Sequence, residues 1–199
     1  MIMDPYVYPG TNILKNKFDI QDKKELENLE RRISNKNAVH ILKTDNSFKC
    51  SLSYLQQIHK KLFQEIYPWA GEIRTVNIGK GNIFCLVENI ASYSGFVFYS
   101  ANSVLKNKPK NLNEKITSIA NVLSDLNALH PFREGNGRST RLFMIEFAKE
   151  LNIQLDFSKL DPKTYLEASI KSFNGDNSLL EEILYNCSSE IKKTNEKGR

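Results

Sequence analysis

The stretch HPFREGNGRSTRLF, residues 130–143, places one histidine, one glutamate and two glycines among arginines at the junction of two apolar helical segments. The first segment has apolar residues at helical spacing, and His130 lies on its inward face. Pro131 disfavours helical geometry for the residue before it, so we expect that helix to end there. A histidine in this position is either a buried residue satisfied by a backbone carbonyl or a catalytic group. His40 and His59 are interpreted in the first way.

The residues after the histidine are typical of an anion-binding turn. Gly135, Asn136 and Gly137 allow a tight turn that exposes several backbone N–H groups where the next helix begins. Arg138 and Arg141 are three residues apart and share a face of the first helical turn, where the helix dipole disfavours a cation. We therefore expect an anion between the two arginines. The alternative is that they pair with acidic residues elsewhere in the domain.

Glu134, beside the glycines, is a candidate ligand for a divalent cation, because Mg²⁺ is usually held by one or two carboxylates together with phosphate groups. The alternative is a surface carboxylate that pairs with Arg133 or a lysine. Taken together, a histidine base, a carboxylate, a turn of N–H groups and two arginines indicate phosphoryl or nucleotidyl chemistry. The sequence contains no GxxxxGK[ST] stretch, which excludes a P-loop as the source of that chemistry.

The rest of the chain predicts a mostly α-helical domain with one small β-hairpin. The hairpin is predicted by IRTVNIGKGNIFCLV, residues 73–87, in which apolar residues flank a turn-rich centre. Trp69 and Cys85 are interpreted as packing residues. In addition to the helix that precedes the motif, apolar spacing predicts helices over residues 22–33, 53–66, 89–104, 142–151, 165–173 and 179–185.

The composition is that of one cytoplasmic domain. The 199 residues, 40% of them hydrophobic, suffice for one core, and we expect a single domain over residues 1–190 with a solvated tail, residues 191–199. Three widely spaced cysteines argue against disulfides and zinc. No signal peptide or membrane span is visible, so we expect a soluble protein with no membrane partner. The net charge of +5 is weak support for an anionic partner and none for DNA.

The motif residues carry a resemblance to a known family. His130–Arg141 matches without exception the signature of Fic domains, His-x-Phe-x-[Asp/Glu]-Gly-Asn-Gly-Arg-x-x-Arg. PWAGEIRTV, residues 68–76, and YPGTNIL, residues 8–14, are also similar to Fic proteins, and the resemblance covers residues 4–182. It implies a Fic-type helical bundle and an enzyme that moves AMP from ATP to a Tyr, Ser or Thr hydroxyl of a target protein.

The resemblance implies a role for each motif residue. His130 is the general base that deprotonates the target hydroxyl for attack on the α-phosphorus, which suits an imidazole. Phe132 anchors the loop in the core, and Glu134 holds Mg²⁺ that bridges the phosphates. The glycine turn cradles the phosphates and the two arginines hold the β and γ groups, which leave as pyrophosphate; these residues are Gly135, Asn136, Gly137, Arg138 and Arg141.

The hairpin resembles the family's flap, which pairs with an extended segment of the target by strand addition. An ordinary surface hairpin is the alternative. The residues of the flap are Ile78, Gly79, Lys80, Gly81, Asn82, Ile83, Phe84 and Cys85.

Other functions remain as alternatives. Within the family, the transferred group could instead be phosphate, UMP or phosphocholine, although phosphate-transferring relatives depart from the motif at the position of Gly135, which is intact here. A catalytically silent nucleotide-binding regulator would not need both His130 and Glu134. A basic nucleic-acid binder would cluster Lys and Arg with aromatic residues, whereas the arginines here adjoin glycines, so no direct nucleic-acid partner is expected.

Inhibition is expected to come from a separate protein. Many Fic domains carry an inhibitory helix, [Ser/Thr]-x-x-x-Glu-[Gly/Asn], whose glutamate pairs with the second motif arginine. The nearest match is Ser178–Glu182, but Ile183 follows it where the pattern requires glycine or asparagine. The apolar residues of this segment form one stripe, which predicts a core helix. We therefore expect a small antitoxin whose glutamate reaches Arg141 in trans. Class I Fic toxins, which this chain resembles, modify bacterial type II topoisomerases; export as an effector is the alternative to a cytoplasmic toxin.

Overall fold

The computed structural model describes residues 4–44, 47–80 and 82–191. Within these ranges the chain forms seven α-helices and two small two-stranded antiparallel sheets, in agreement with the mostly α-helical class. No helix in the described ranges has an apolar stretch long enough to cross a membrane. The helices are α1 (Lys23–Lys43), α2 (Leu52–Phe63), α3 (Ile90–Lys106), α4 (Leu112–Leu129), α5 (Asn136–Glu150), α6 (Pro162–Phe173) and α7 (Ser178–Asn186). The strands are β1 (Gly79–Lys80), β2 (Asn82–Ile83), β3 (Ile153–Leu155) and β4 (Ser188–Glu190).

The chain divides into two compact units. The first comprises Met1–Ser94 and Leu129–Leu142, and the second comprises Gly95–Ala128 and Phe143–Arg199. The motif, the hairpin and the first two helices all lie in the first unit. The expectation of one domain over residues 1–190 stays a prediction, and residues 192–199 of the expected tail lie outside the described residues.

Helix α1 is longer than the apolar pattern predicts. Its N-cap is Asp22, whose carboxylate accepts a hydrogen bond of 2.8 Å from the backbone N–H of Glu25. The pattern predicted only the first half of the helix, which continues to Lys43. The inward face of the second half contains Ser34 and Asn37, both buried. Because polar residues occupy inward positions, the apolar periodicity ends although the helix does not.

Helix α2 is confirmed as an amphipathic helix, and it packs against α1. Ser51 is its N-cap and accepts a hydrogen bond of 3.2 Å from the backbone N–H of Tyr54. The amide of Asn37 on α1 donates to the carbonyl of Leu62 at 3.2 Å and to the carboxylate of Glu65 at 2.9 Å. The buried polar face of α1 is therefore bonded to α2. The buried residues of α2 are Tyr54, Leu55, Ile58, His59, Leu62 and Phe63.

The predicted hairpin is present but short. Gly79–Lys80 pairs with Asn82–Ile83 in antiparallel register, and the backbone N–H of Phe84 donates to the carbonyl of Ile78 at 3.2 Å. The apolar residues that flank this pair lie in loops, and Val87 begins a short 3-10 helix, so none of them extends the strands. Gly81, in the middle of the predicted flap, lies outside the described residues.

The second unit contains a sheet that the sequence did not predict. Ile153–Leu155 pairs in antiparallel register with Ser188–Glu190. Ile153 and Leu155 are buried and the residue between them is exposed. An alternation over three residues is too short to distinguish a strand from a loop, and the partner strand has no apolar residue.

Helix α7 is a core helix, as predicted for the segment that most resembles an inhibitory motif. It packs against α6 within the second unit. Leu180, Ile183 and Leu184 are buried, whereas Glu182 is exposed. The apolar stripe of this segment is therefore used for packing.

Candidate active site

Helix α4 ends where the motif begins. Leu129 is its last residue, and His130 adopts a left-handed backbone conformation with φ of 42°, which non-glycine residues rarely adopt. The predicted helix end before Pro131 is confirmed. The imidazole of His130 stacks on the ring of Phe84, with ring centroids 3.7 Å apart and an interplanar angle of 6°. The hairpin segment therefore contacts the candidate general base directly.

Phe132 and Asn136 fix the loop between helices α4 and α5. The side chain of Phe132 is fully buried. The Oδ1 atom of Asn136 accepts a hydrogen bond of 2.9 Å from the backbone N–H of Phe132, and its Nδ2 donates to the carbonyl of Phe132 at 2.7 Å. Both polar atoms of the Asn136 side chain are therefore bonded to the backbone of the loop. A phosphate contact of Asn136 would have to come from its backbone N–H.

Both the backbone conformation at position 135 and the space beside it require a glycine. Its φ is 81°, and a Cβ atom at this position would lie 2.4 Å from Cε2 of Phe63. The backbone N–H of Ser139 donates to the carbonyl of Gly135 at 3.1 Å, which begins the hydrogen-bonding pattern of α5. The N–H groups of the first residues of α5 therefore have no acceptor within the helix, which is the arrangement in which helix N-termini can bind anions.

Arg138 is paired with an acidic residue, which was the alternative interpretation. Its Nη2 lies 2.6 Å from Oε1 of Glu30 on α1, and its Nη1 donates to the hydroxyl of Ser34 at 3.1 Å. The guanidinium lies over the ring of Phe63, with its central carbon 4.6 Å from the ring centroid. Tyr67 donates from its hydroxyl to Glu30, and burial, followed by the charge of Glu30, raises the pKa of Tyr67. Arg138 is therefore held from several sides.

Arg141 differs from Arg138 in its surroundings. Within the described residues, Arg141 has no ion-pair or hydrogen-bond partner. Its Nη1 lies beside the first turn of α5, 3.3 Å from the place that a Cβ of Gly137 would take. The charge of Arg141 is therefore available to a ligand at the start of the helix.

The motif and the hairpin line one cleft of about 530 Å³. This volume lies in the range of small-molecule binding sites. All predicted motif residues except Phe132 line the cleft, together with part of the predicted flap. The lining residues from these two segments are Ile78, Gly79, Phe84, His130, Arg133, Glu134, Gly135, Asn136, Gly137, Arg138 and Arg141.

Glu134 is the motif carboxylate in this cleft. Its Oε1 accepts a hydrogen bond of 2.8 Å from the backbone N–H of Gly135 and lies 3.7 Å from Nη2 of Arg138. It does not pair with Arg133, which binds Asp4 at 2.7 Å instead. The described residues contain no group of three or more His, Cys, Asp or Glu that could hold a metal. A half-exposed single carboxylate suits a cation whose other ligands are phosphate oxygens and water.

His59 supports the motif loop from helix α2. Its Nδ1 accepts a hydrogen bond of 2.8 Å from the backbone N–H of Gly71, so Nε2 carries the proton and donates to the carbonyl of Glu134 at 2.9 Å. The ring stacks on Phe132 with centroids 4.0 Å apart, and burial lowers the pKa of His59 to about 4. The interpretation as a buried histidine satisfied by a carbonyl is confirmed for His59 and wrong for His40, which is exposed.

Arg74 also supports the motif loop, and the sequence pattern did not single it out. Its side chain is 1% exposed, and its Nε donates to the carbonyl of His130 at 2.8 Å. The signal that could have identified it is its place within the PWAGEIRTV stretch, whose resemblance to Fic proteins extends to this arginine.

The fold and the motif define the class of protein: the chain belongs to the Fic/DOC family, whose model matches residues 49–148. Its relatives include the probable protein adenylyltransferase y4lH of Sinorhizobium fredii, 35% identical over 179 residues that cover 88% of this chain and 91% of that protein. Protein adenylyltransferase VbhT of Bartonella schoenbuchensis is 33% identical over 182 residues, which cover 91% of this chain but 38% of that longer protein.

The solved structures agree with this assignment. BepC, a VirB-translocated effector protein of Bartonella tribocorum with bound AMPPNP, has a TM-score of 0.86 and 25% sequence identity to this chain. The match covers 94% of this chain and 97% of the chain in that structure. The resemblance expected from the motif is confirmed, and the fold is that of a Fic domain.

Proposed function

We infer that this chain is a protein adenylyltransferase, which transfers AMP from ATP to a hydroxyl side chain of a target protein. The observation that carries this proposal is the cleft that brings together His130, the start of helix α5 and the unpaired charge of Arg141. The names of the relatives y4lH and VbhT and the ATP analogue bound to BepC support the same activity. ATP is the co-substrate.

His130 is proposed as the general base. It takes the proton of the target hydroxyl onto an imidazole nitrogen while the hydroxyl oxygen forms a bond to the α-phosphorus of ATP. The bond between the α-phosphorus and the bridging oxygen breaks, and pyrophosphate leaves. His130 lies at the end of α4 with its ring on Phe84, so the base and the flap approach the same point of the cleft.

The phosphates are proposed to lie at the start of helix α5. The backbone N–H groups of Asn136 and Gly137 point out of the helix, and Arg141 supplies the unpaired cation for the β and γ phosphates. Arg138 is held by Glu30 and Ser34, so its phosphate contact is made from a fixed position. Mg²⁺, when bound, would be held by Glu134 and would neutralise charge on the phosphate oxygens.

The flap is proposed to dock the target by strand addition. The strands of the hairpin are two residues long, and the side chain of Ile83 is 65% exposed. An extended peptide can pair with an exposed strand edge through main-chain hydrogen bonds. Phe84, which follows the second strand, contacts His130, so a peptide on the flap would bring its hydroxyl close to the base.

The biological setting is proposed from the resemblance. We propose a toxin of the bacterial cytoplasm that modifies a type II topoisomerase and is inhibited by a small antitoxin whose glutamate binds Arg141. The absence of any partner for Arg141 among the described residues supports an inhibitor that acts in trans. No direct contact with nucleic acid is required for this function.

The activity is tested with ATP labelled on either the α or the γ phosphate, incubated with the protein and a bacterial lysate. We expect the α label and not the γ label to become attached to protein. His130→Ala should abolish transfer while ATP affinity measured by calorimetry stays within about threefold of wild type, because a general base acts mainly in the transition state. His40→Ala, which changes an exposed histidine, is the matched control. Transfer of the γ label would indicate phosphotransfer, and transfer of neither label would indicate a nucleotide-binding regulator.

A further inference from the structure

Arg74 is a buried cation that the proposed chemistry does not use. Its side chain is 1% exposed, and within the described residues no carboxylate lies at ion-pair distance from it. Burial lowers the pKa of its guanidinium. A buried arginine without an acidic partner is unfavourable unless its N–H groups are hydrogen-bonded. The partners of Arg74 therefore indicate why it is buried here.

The guanidinium of Arg74 bonds three backbone carbonyls from three separate positions. Nη1 donates to the carbonyl of Val76 at 2.8 Å, and Nη2 donates to the carbonyl of Cys85. These two residues flank the hairpin, one on each side. Nε donates to the carbonyl of His130 at 2.8 Å. One side chain thus bonds the backbone on both sides of the hairpin and the backbone of the proposed base.

The backbone of Arg74 adds a fourth contact. Its N–H donates to the carbonyl of Pro131 at 2.9 Å, so Arg74 holds two consecutive carbonyls of the motif loop. The first of them belongs to His130, whose left-handed conformation is unfavourable for a residue with a side chain. External hydrogen bonds of this kind keep such a conformation populated.

We propose that Arg74 is a positioning residue that fixes the flap relative to His130, and thereby fixes the target hydroxyl relative to the base. This proposal rests on the proposed adenylyltransferase function for its kinetic consequence only. Its structural content is that the flap and the motif loop open as one unit because a single guanidinium connects them.

Arginine is required for this connection. Its planar guanidinium presents donors in several directions within one plane, whereas a lysine ammonium is a single point at the end of a flexible chain. Lysine at position 74 could reach one of the three carbonyls at a time. Arg74→Lys should therefore resemble Arg74→Met, although it keeps the positive charge.

Hydrogen–deuterium exchange on the full chain tests the structural part. In Arg74→Met, exchange over residues 76–87 and over residues 130–135 should rise together by at least tenfold, while helix α6 is unchanged. Asn37→Ala is the matched control, because it removes a buried hydrogen bond from α1 to Leu62 on α2 and a part-buried one to Glu65, without touching the flap. The control should lower thermal stability but leave exchange in both segments as in wild type.

Wild-type protein provides a test that needs no variant. Two backbone amides report on the two segments: that of Phe84, which is bonded to Ile78, and that of Arg74, which is bonded to Pro131. Hydrogen exchange in dilute urea should give the same free energy of opening for both amides. Different opening free energies for these two amides would overturn the proposal, even if every variant at position 74 failed to fold.

Transfer assays test the kinetic part, with α-labelled ATP and the lysate proteins labelled by wild type as the probe. Arg74→Met should reduce the transfer rate at least 30-fold, with ATP affinity within threefold of wild type. The transfer rate of Arg74→Lys should be less than threefold higher than that of Arg74→Met. Full activity of Arg74→Lys, or an equal loss in Asn37→Ala, would overturn the role. If wild type itself transfers no label, the proposed function fails, and the exchange measurements alone decide whether Arg74 couples the two segments.

Discussion

The buried His59 makes the stability of the motif loop dependent on pH. The side chain is fully buried, and its neutral form accepts from Gly71 and donates to the carbonyl of Glu134. Burial lowers the pKa of His59 from 6.5 to about 4. Protonation would place a second N–H against the N–H of Gly71, so the charged form loses a hydrogen bond and is desolvated. The folded state therefore binds this proton more weakly than the unfolded chain does.

The sign and size of the effect follow from linkage. Because the folded pKa is below the unfolded pKa, the contribution of neutral His59 to stability is complete above pH 6.5 and is lost as the pH falls towards 4. The shift corresponds to a loss of about 2 kcal/mol between pH 7 and pH 5, and of about 3 kcal/mol below pH 4.

Urea unfolding at pH 7 and pH 5 measures this loss in the free energy of unfolding. In His59→Gln the difference between the two pH values should be smaller than in wild type by about 2 kcal/mol, because glutamine does not titrate. The variant is also expected to be less stable at pH 7, since the ring that stacks on Phe132 is lost. His40→Gln is the control and should keep the wild-type difference. An equal pH dependence in wild type and His59→Gln would refute the assignment of a neutral, buried imidazole.

Three further predictions concern the nucleotide site and its regulation. Arg141→Ala should weaken ATP about 10- to 100-fold and AMP about twofold at most, since only the distal phosphates lose a charged hydrogen bond; equal losses in calorimetry would contradict the role of Arg141. Gly135→Ala should lower the free energy of unfolding by about 2–4 kcal/mol, because φ is 81° and the new methyl group overlaps Phe63; a thermal melt like that of wild type would contradict this. Glu182→Gly should leave AMP transfer unchanged or reduced, because Glu182 is exposed on a core helix; a large rise without unfolding would show an internal inhibitor.

The helices could be predicted where apolar residues alone form the inward face. Helices α2 and α7 bury continuous apolar stripes, and their positions follow from spacing. The second half of α1 could not be predicted in this way, because Ser34 and Asn37 occupy inward positions. Those residues are buried because partners on α2 and in the motif satisfy them, and such partners are invisible in the local sequence. The β3–β4 sheet was missed because its strands are three residues long.

The candidate site was predictable to the extent that it is contiguous in sequence. The motif from His130 to Arg141 specifies its own turn, helix start and charges, and all of its predicted site residues except the buried Phe132 line one cleft. The supporting residues Glu30, His59 and Arg74 come from distant segments, and each acts through a few hydrogen bonds. No spacing rule connects them to the motif. The pairing of Arg138 with Glu30 in particular required the packing of α1.

The different surroundings of the two motif arginines bear on how the enzyme could be inhibited. The pair between Arg138 and Glu30 is largely buried, with the Glu30 side chain 14% exposed, and Glu134 lies 3.7 Å from the same guanidinium. An inhibitory carboxylate would gain little at Arg138, because that charge is already compensated and a third carboxylate would be repelled. Arg141 has no such partner within the described part of the chain, so it is the cation that both a γ-phosphate and an inhibitory glutamate would bind. A glutamate supplied in trans would therefore compete directly with ATP at Arg141, and its inhibition should weaken as the ATP concentration rises.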